Sequence, residues 1–327
     1  MTNENRVRPA GVPGQRRSPG EWDRVILPRA AEIVESYDIP VTLRQLHYRL
    51  VSLGLIRNTK KEYDALSERT AELRRDDLFP ELFDRGRDIE QSHGWTDTDQ
   101  MLDYYRRVFR LRRTTGQEYQ IWLGVEKNAL AGLLSDWFDE LGLPVVPLGG
   151  YSSESLDRKV RRQVEGDDRP AVLIIAGDFD ASGEDISRNF VRHTDCWADV
   201  TRIGLEAEQV EELGLIVQAG KCRDSRAPAF IDRYLDLHAD YADVLAGRCG
   251  SEKACPGDHG PANPAPVQVE LDAVEPLTLR GWFQDQIDIW WDDDVYQQTL
   301  ADEEQARADV DAAQDWLRDY QINRETL

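Results

Sequence analysis

The sequence predicts an α/β protein in which an N-terminal helical domain precedes a larger domain with a mainly parallel, Rossmann-like β-sheet. The chain has 327 residues, enough for two domains. From about residue 117 onwards, short apolar runs alternate with amphipathic segments, a pattern typical of parallel strands connected by helices. The sequence has no apolar run of about 18 residues and no hydrophobic N-terminal segment, which favours a soluble, cytoplasmic protein.

The net charge of −22 is distributed unevenly. Residues 1–117 hold 21 Lys and Arg against 19 Asp and Glu, a net charge of +2, so the remaining residues carry −24. The acidic part would repel a nucleic acid, whereas the N-terminal third could face one. The four cysteines do not make a disulfide framework in a chain of this length, which agrees with a cytoplasmic location.

The N-terminal domain is predicted to span residues 21–116. Residues 1–20 are rich in Pro, Gly and Arg and are expected to form a disordered arm. A helical segment then begins at Pro19 and runs to about Asp38. We expect an interruption at Pro28, because proline cannot supply the backbone N–H of a helix interior.

A helix of about three turns is predicted between Thr42, a suitable N-cap, and Gly54, a suitable C-terminal residue. Arg44 and Tyr48 are four residues apart and therefore share a face, with His47 beside Arg44. Leucines at three- and four-residue spacing form the predicted buried stripe. They are Leu43, Leu46, Leu50 and Leu53.

A second helix at 61–75 and a segment at 78–87 with the Pro and Gly of a hairpin complete the plan of a winged helix-turn-helix domain, a DNA-binding fold. A further helix is predicted at 97–113. Arginines crowd its end, where their charge suits the negative end of the helix dipole. They are Arg106, Arg107, Arg110, Arg112 and Arg113.

The larger domain, 117–327, is predicted to contain four strands alternating with helices. The strands are 119–125, 145–148, 171–177 and 199–205, and the helices are 129–141, 154–165, 184–193 and one from about 206. Helices are expected from about residue 269 to the end, packed by Trp282, Trp290 and Trp291. The stretch 227–267 has only a weak helical pattern and is predicted to be an insertion. Within it, Cys249, Cys255 and His259 could bind Zn²⁺, although no fourth ligand is evident.

The apolar run 171–177 leads directly into Asp178-Phe-Asp180. Sites in open α/β sheets collect at the carboxyl ends of strands, and residues two apart in an extended chain point to one side. Two carboxylates presented together suit Mg²⁺, and Glu126, at the end of an earlier strand, adds a third acidic group as ligand or proton carrier. The same residues also fit an Asp-rich turn that caps the next helix through Ser182.

Two sequence elements resemble the signature of a Toprim domain. They are Val125-Glu126-Lys127 and Asp178-Phe-Asp180-Ala-Ser-Gly183, with the Gly149-Gly150 turn between them in the expected order. The resemblance implies that Glu126, Asp178 and Asp180 hold Mg²⁺ for phosphoryl transfer.

The segment Val41 to Tyr48 resembles the R-x-x-aromatic-Y element of the topoisomerase VI A subunit and its meiotic double-strand-break relatives. His47 stands where that family more often has an aromatic residue. The family joins a winged-helix domain to a downstream Toprim domain in this order. Two later segments are also similar to the family, namely Lys221 with Asp224-Ser225-Arg226, and Glu270-Leu271-Asp272-Ala273.

This resemblance implies that Tyr48 is a nucleophile that cleaves double-stranded DNA and forms a 5′-phosphotyrosyl link, with Arg44 stabilising charge. It also implies a homodimer, in which the tyrosine of one protomer works with the metal of the other. The chain shows no Gly-rich ATP loop, and in the family a separate B-type subunit supplies ATP hydrolysis for strand passage.

Two other functions fit the same residues. A Toprim nuclease would hydrolyse DNA with water, and Tyr48 would then be a structural, half-buried tyrosine. A non-catalytic DNA-binding protein would keep the winged helix without the chemistry. The convergence of three acidic residues on one sheet edge argues against the non-catalytic protein.

Overall fold

The computed structural model describes residues 19–37, 41–83, 94–245 and 264–325, and it confirms an α/β fold with a parallel sheet. Most of the predicted arm and the group Cys249, Cys255 and His259 lie outside these ranges. None of the helices within them combines the length and the apolar composition that a membrane crossing requires.

The N-terminal part is helical. Its helices are α1, which runs from Pro19–Glu21 through a π-helical turn at Trp22–Ile26 to Leu27–Glu35, α2 (Leu43–Ser52), α3 (Lys60–Arg75) and α4 (Thr98–Val108).

The remainder alternates strands and helices. The strands are β1 (Gln120–Val125), β2 (Val145–Pro147), β3 (Ala171–Ala176), β4 (Asp199–Gly204), β5 (Gln218–Ala219) and β6 (Val267–Gln268). The α-helices are α5 (Asn128–Trp137), α6 (Glu154–Glu165), α7 (Ala181–Thr194), α8 (Ala207–Glu212), α9 (Ala227–Arg233), α10 (Leu235–Leu245), α11 (Pro276–Trp290) and α12 (Asp293–Glu325). Short 3₁₀ turns lie at Asp139–Leu141 and Leu271–Ala273.

The predicted break of α1 at Pro28 is wrong. The backbone N–H of Leu27 bonds to the carbonyl of Trp22, five residues earlier, so the turn before the proline is wider than an α-turn. Such a turn relieves the clash that a proline ring makes with the preceding helical turn, and the helix continues to Glu35.

Helix α2 has the predicted N-cap, Thr42, and it ends at Ser52, two residues before Gly54. Thr42 and Gln45 form a reciprocal capping box, and Gly54 has a left-handed φ of +67°. The predicted stripe is wrong at Leu53, which is 37% exposed because the helix has already ended at Ser52. Tyr48 is buried instead, at 9% exposure.

The wing at 78–87 lies partly outside the described residues and stays a prediction. Within the described part, Phe83 forms an isolated parallel bridge with Thr42. Phe79 and Leu82 join the hydrophobic core between α1, α2 and α3.

Helix α4 ends at Val108, five residues before the predicted end, and the dipole explanation for its arginines is wrong for Arg110 and Arg113. Arg110 pairs with Asp139 at 2.6 Å, and Arg113 pairs with Glu303 of α12 at 2.5 Å. These ion pairs connect the segment after α4 to the turn at Asp139 and to α12.

The main sheet is parallel, with strand order β2-β1-β3-β4. The pairing of β1 with β3 runs from Gln120 opposite Ala171 to Val125 opposite Ala176. Both strands therefore end at the same level, and the residues that follow them meet at one edge of the sheet.

Alternation along the buried strands divides the core between the two sheet faces. Leu123 and Ile174 face a cluster with α5 and α11, whereas Trp122 and Ile175 face a cluster with α6 and α7. Helices thus cover both faces, as expected for a parallel sheet.

A small antiparallel ribbon of β5 and β6 lies beside the main sheet. Phe179 and Val269 exchange backbone hydrogen bonds of 2.9 and 3.0 Å, which fastens the chain after β6 to the chain after β3. The turn at Leu271–Ala273 consequently lies against the carboxyl edge of the sheet.

Candidate functional site

Glu126 follows β1 and Asp178 follows β3, so the matched ends of these strands bring their side chains together. The backbone N–H of Asp178 donates to Glu126 Oε2 at 3.3 Å. Burial raises the pKa of the Glu126 carboxyl, and the negative charge of Asp180 contributes. The prediction that these two strand ends meet at one edge is confirmed.

Asp178 is buried, at 5% exposure, and its Oδ1 accepts a hydrogen bond from the backbone N–H of Leu271 at 2.8 Å. The same oxygen lies 2.9 Å from Lys127 Nζ. Burial nevertheless raises the pKa of Asp178 to about 7, because the desolvation cost exceeds what Lys127 returns.

Asp180 caps helix α7. One of its carboxylate oxygens accepts from the backbone N–H groups of Ser182 at 2.9 Å and Gly183 at 2.6 Å. The helix therefore begins at Ala181, three residues before the predicted start at 184. Asp178 and Asp180 thus have different partners. The predicted capped turn is present, but its cap is Asp180 and not Ser182, whose backbone N–H and hydroxyl both donate to the Asp180 carboxylate.

The loop between β3 and α7 is held from a second side by Arg202 of β4. Its Nη2 donates to the carbonyl of Asp178 at 3.1 Å, and its Nη1 donates to Ser187 Oγ at 3.0 Å. Nothing in the sequence pattern singled out Arg202, because its role depends on β4 lying next to β3.

Lys127 lies at the centre of a group of acidic side chains, called here the acidic cluster, formed by Glu126, Asp178, Asp180, Glu270 and Asp272. Its ammonium contacts Asp178 and Glu270 and lies 3.4 Å from Asp272 Oδ2. These carboxylates raise the pKa of Lys127 and keep it charged despite burial. Lys127, Glu270 and Asp272 belong to the segments that resemble the family, but their sequence pattern alone predicts no role for them. The sequence feature that could have identified them is a charged residue that directly follows a short apolar run.

Arg44 connects α2 to the same cluster. Its Nε lies 3.2 Å from Asp272 Oδ2, and its Nη2 lies 3.7 Å from Glu270 Oε2. Its guanidinium carbon is 5.5 Å from the centre of the Tyr48 ring, so the predicted shared face of Arg44 and Tyr48 is confirmed.

Tyr48 lies between two cations, because Lys127 Nζ is also 5.5 Å from its ring centre. Burial is the main reason that the pKa of Tyr48 is raised to about 12, while the charges of Arg44 and Lys127 act in the opposite direction. The structure therefore brings Tyr48 and Arg44 against the acidic cluster of the same chain.

Five carboxylates lie at this edge of the sheet, and Lys127 and Arg44 form ion pairs with three of them, Asp178, Glu270 and Asp272. The five are Glu126, Asp178, Asp180, Glu270 and Asp272. In the described part of the chain, no three Asp, Glu, His or Cys side chains converge as a group able to hold a metal ion. Lys127 fills the space between three of the carboxylates, and Asp180 is turned towards α7.

The donor atoms at this edge are of the type that Mg²⁺ prefers, but the described side chains do not converge on a single point. These atoms are carboxylate oxygens, and desolvation by burial is the main reason that the pKa values of Glu126 and Asp178 are raised. A divalent cation would supply positive charge if Glu126, Asp178 and Asp180 turned towards it.

No protein-family model matches this chain, and no curated protein matches it. The resemblances to Toprim domains and to the topoisomerase VI A subunit therefore depend on the motifs themselves.

Proposed function

We propose that this chain is a topoisomerase VI A-like transesterase that cleaves double-stranded DNA with Tyr48 in a Mg²⁺-dependent reaction. The observation that carries the proposal is the position of Tyr48. Its ring lies 5.5 Å from both Arg44 and Lys127, beside an acidic cluster built from the ends of β1 and β3. A nucleophile, two cations and buried carboxylates in one place suit phosphoryl transfer.

In the proposed reaction, the phenolic oxygen of Tyr48 attacks the phosphorus of a phosphodiester. A bond forms between the tyrosine oxygen and phosphorus, and the bond from phosphorus to the 3′ oxygen breaks. The leaving 3′ oxygen gains one proton as the phenol loses one, so the 5′-phosphotyrosyl product is neither oxidised nor reduced. Attack by the 3′ hydroxyl reverses the step and rejoins the strand without ATP.

Arg44 and Lys127 are the residues that make this chemistry accessible to a phenol whose pKa is about 12. Their positive charges favour the phenolate and oppose the effect of burial. The same charges stabilise the negative oxygens of the phosphorus in the transition state.

Glu126, Asp178 and Asp180 would hold the Mg²⁺, which when bound supplies positive charge to the phosphate oxygens. Cutting both strands requires two copies of Tyr48, which a homodimer supplies. Strand passage, as distinct from cutting, would take ATP from a separate B-type subunit.

The test is incubation of the full chain with supercoiled plasmid and Mg²⁺, followed by detergent and protease. We expect broken DNA with protein linked to its 5′ ends, lost in Tyr48→Phe and in Asp178→Asn. Tyr105→Phe is the matched control, because Tyr105 is 53% exposed on α4 and lies outside the cluster.

The same assay separates the alternative functions. Cleavage that survives Tyr48→Phe but is lost in Asp178→Asn identifies a nuclease that uses water. DNA binding without cleavage under any of these conditions identifies a non-catalytic binding protein. Either result overturns the transesterase.

A further inference from the structure

A pocket of about 330 Å³ opens beside Tyr48. This volume is at the small end of the range for ligand pockets, about 300–1,000 Å³, and suits a single nucleotide rather than a duplex. The residues that line it come from α2, the following loop and the first turns of α3. They are Arg44, His47, Tyr48, Asn58, Thr59, Lys60 and Tyr63.

The apolar walls of the pocket are two tyrosine rings fixed by His47. The His47 ring packs edge-on against Tyr48, with ring centres 5.4 Å apart, and against Tyr63, with ring centres 5.2 Å apart. His47 itself is 3% exposed, so it holds both rings from within the core. Aromatic faces of this kind are the surfaces on which nucleic-acid bases stack.

The polar side of the pocket combines a positive charge with the start of a long helix. Lys60 is the first residue of α3, a helix of 16 residues, and Thr59 is its N-cap. A lysine and the N-terminus of a helix both attract phosphate. Arg44, about half exposed, adds a second cation at the wall shared with Tyr48.

The remaining lining residue, Asn58, is held in place from both domains. Its Nδ2 donates to Gln218 Oε1 of β5 at 2.8 Å, and its Oδ1 lies 3.3 Å from His47 Nε2. An amide with a fixed orientation is suited to hydrogen bonding with a base or a sugar.

We propose that this pocket binds one nucleotide of the DNA strand next to the phosphodiester that Tyr48 attacks. Its base stacks on Tyr63, and its phosphate lies at Lys60 and the N-terminus of α3. The claim that this nucleotide belongs to the strand cleaved by Tyr48 rests on the proposed function. The claim that the pocket binds a nucleotide rests only on the residues that line it. The nucleotide beside the break is then unstacked from its neighbours when it occupies the pocket.

The test measures binding of thymidine 5′-monophosphate to the full chain in EDTA by isothermal titration, with thymidine and inorganic phosphate as comparison ligands. We expect the monophosphate to bind more tightly than either. Tyr63→Ala weakens it by between about fivefold and a hundredfold, the range for loss of one stacked base, and Tyr63→Phe retains it. Lys60→Gln weakens the monophosphate but not thymidine. The neighbouring exposed Lys61, changed to Gln, is the matched control.

Equal binding of inorganic phosphate and the monophosphate overturns the proposal, because it shows an anion site without a base site. Binding that is absent, or that is unchanged by both Lys60→Gln and Tyr63→Ala, also overturns it. Because the ligand contains no cleavable diester, the result is independent of cleavage. If the chain forms phosphotyrosyl links but does not bind the nucleotide, the proposed nucleotide pocket is wrong and the proposed function stands. If it binds the nucleotide but forms no such links, the pocket stands and the proposed function is wrong.

Discussion

Gly183 is the residue that most directly fixes the distance between the loop after β3 and Glu126. A Cβ atom at this position would lie 2.5 Å from the backbone oxygen of Asp178 and 3.1 Å from Glu126 Oε2. Because one of these atoms is backbone, the loop itself would have to move. The Gly in the D-x-D-x-x-G pattern therefore has a steric reason in this fold.

Gly183→Ala is expected to lower the free energy of unfolding by about 1–3 kcal/mol, the usual cost of overpacking. The matched control is Gly281→Ala in α11, where a Cβ would meet nothing within 4 Å. That change should raise stability by about 0.5–1 kcal/mol, because alanine is the better residue in a helix interior. Urea unfolding measures both, and equal stability of the two variants would contradict the steric explanation.

Lys127→Met removes the only ammonium that contacts Asp178, Glu270 and Asp272 together among the described residues. The three carboxylates are 0–13% exposed, so their uncompensated charge should cost about 3 kcal/mol or more in unfolding free energy. Lys159→Met, on the exposed side of α6, is the control and should change stability by less than about 0.5 kcal/mol. An unfolding midpoint in urea that is the same for Lys127→Met and the control would rule out the central role of Lys127.

For single residues, the sequence predicts which residue types lie at the sheet edge better than it predicts which residues contact one another. The acidic character of the sheet edge follows from Asp178 and Glu126 standing at the ends of apolar runs. The contact of Lys127 with Glu270 joins residues 143 positions apart, so it depends on tertiary pairing that no local pattern contains. The same holds for Arg44 and Asp272, which are 228 positions apart.

Among the elements, α2 is the one whose limits determine where the candidate nucleophile lies. Its N-terminus is fixed by the box in which Thr42 Oγ1 accepts from the Gln45 N–H at 3.3 Å and Gln45 Oε1 accepts from the Thr42 N–H at 2.9 Å. The Thr42 cap is a local signal, which is why it could be predicted from sequence, whereas the reciprocal contact of Gln45 was not predicted. The register of Tyr48 against the cluster follows from this start.

Thr42→Ala is expected to destabilise the protein by about 1 kcal/mol, because the first turn of α2 loses its capping oxygen. Thr42→Ser retains that oxygen and should keep most of the stability. Guanidinium unfolding followed by circular dichroism compares the two variants. If Ala and Ser have the same effect, the cap does not contribute and the loss comes from the threonine methyl group.

The elements that differed from prediction did so for physical reasons outside their own sequence pattern. Helix α7 begins a turn earlier than predicted because Asp180 caps it, whereas α4 ends early and the segment after it pairs with Glu303 of α12 through Arg113. The four strands of the main sheet were predicted from their apolar runs. Their order, β2-β1-β3-β4, was not predicted, because it depends on which strands pair.

In the molecule as a whole, the N-terminal helices and the sheet are joined by both polar and apolar contacts. Arg44 pairs with Asp272, and Asn58 bonds to Gln218. Apolar residues of α1 and α2 line one narrow cavity with residues of α5 and the turn after β6. Part of the charge difference between the two parts of the chain is therefore balanced within the molecule. Basic Arg44 of the N-terminal part pairs with acidic Asp272 and Glu270 of the larger part.

The placement of Tyr48 raises the question of whose acidic cluster it uses. In one chain, the ammonium of Lys127 lies 5.5 Å from the Tyr48 ring and 2.9 Å from Asp178 Oδ1, so Tyr48 contacts a cation in front of the Asp178 carboxylate. The chain's own tyrosine therefore does not meet the proposed metal ligands. The resemblance to the topoisomerase VI A family implies instead that, in a homodimer, each tyrosine works with the cluster of the other protomer.

A mixed dimer tests this directly. Tyr48→Phe and Asp178→Asn are each inactive as homodimers under the proposed function, and their heterodimer can be isolated by co-expression with two different affinity tags. If tyrosine and carboxylates act across the dimer, the heterodimer has one intact site and should nick one strand of a plasmid, leaving a 5′-linked protein. If they act within one chain, every site in the heterodimer lacks a component, and no cleavage should occur. A nick from the heterodimer, with none from either parent, would rule out the arrangement within one chain.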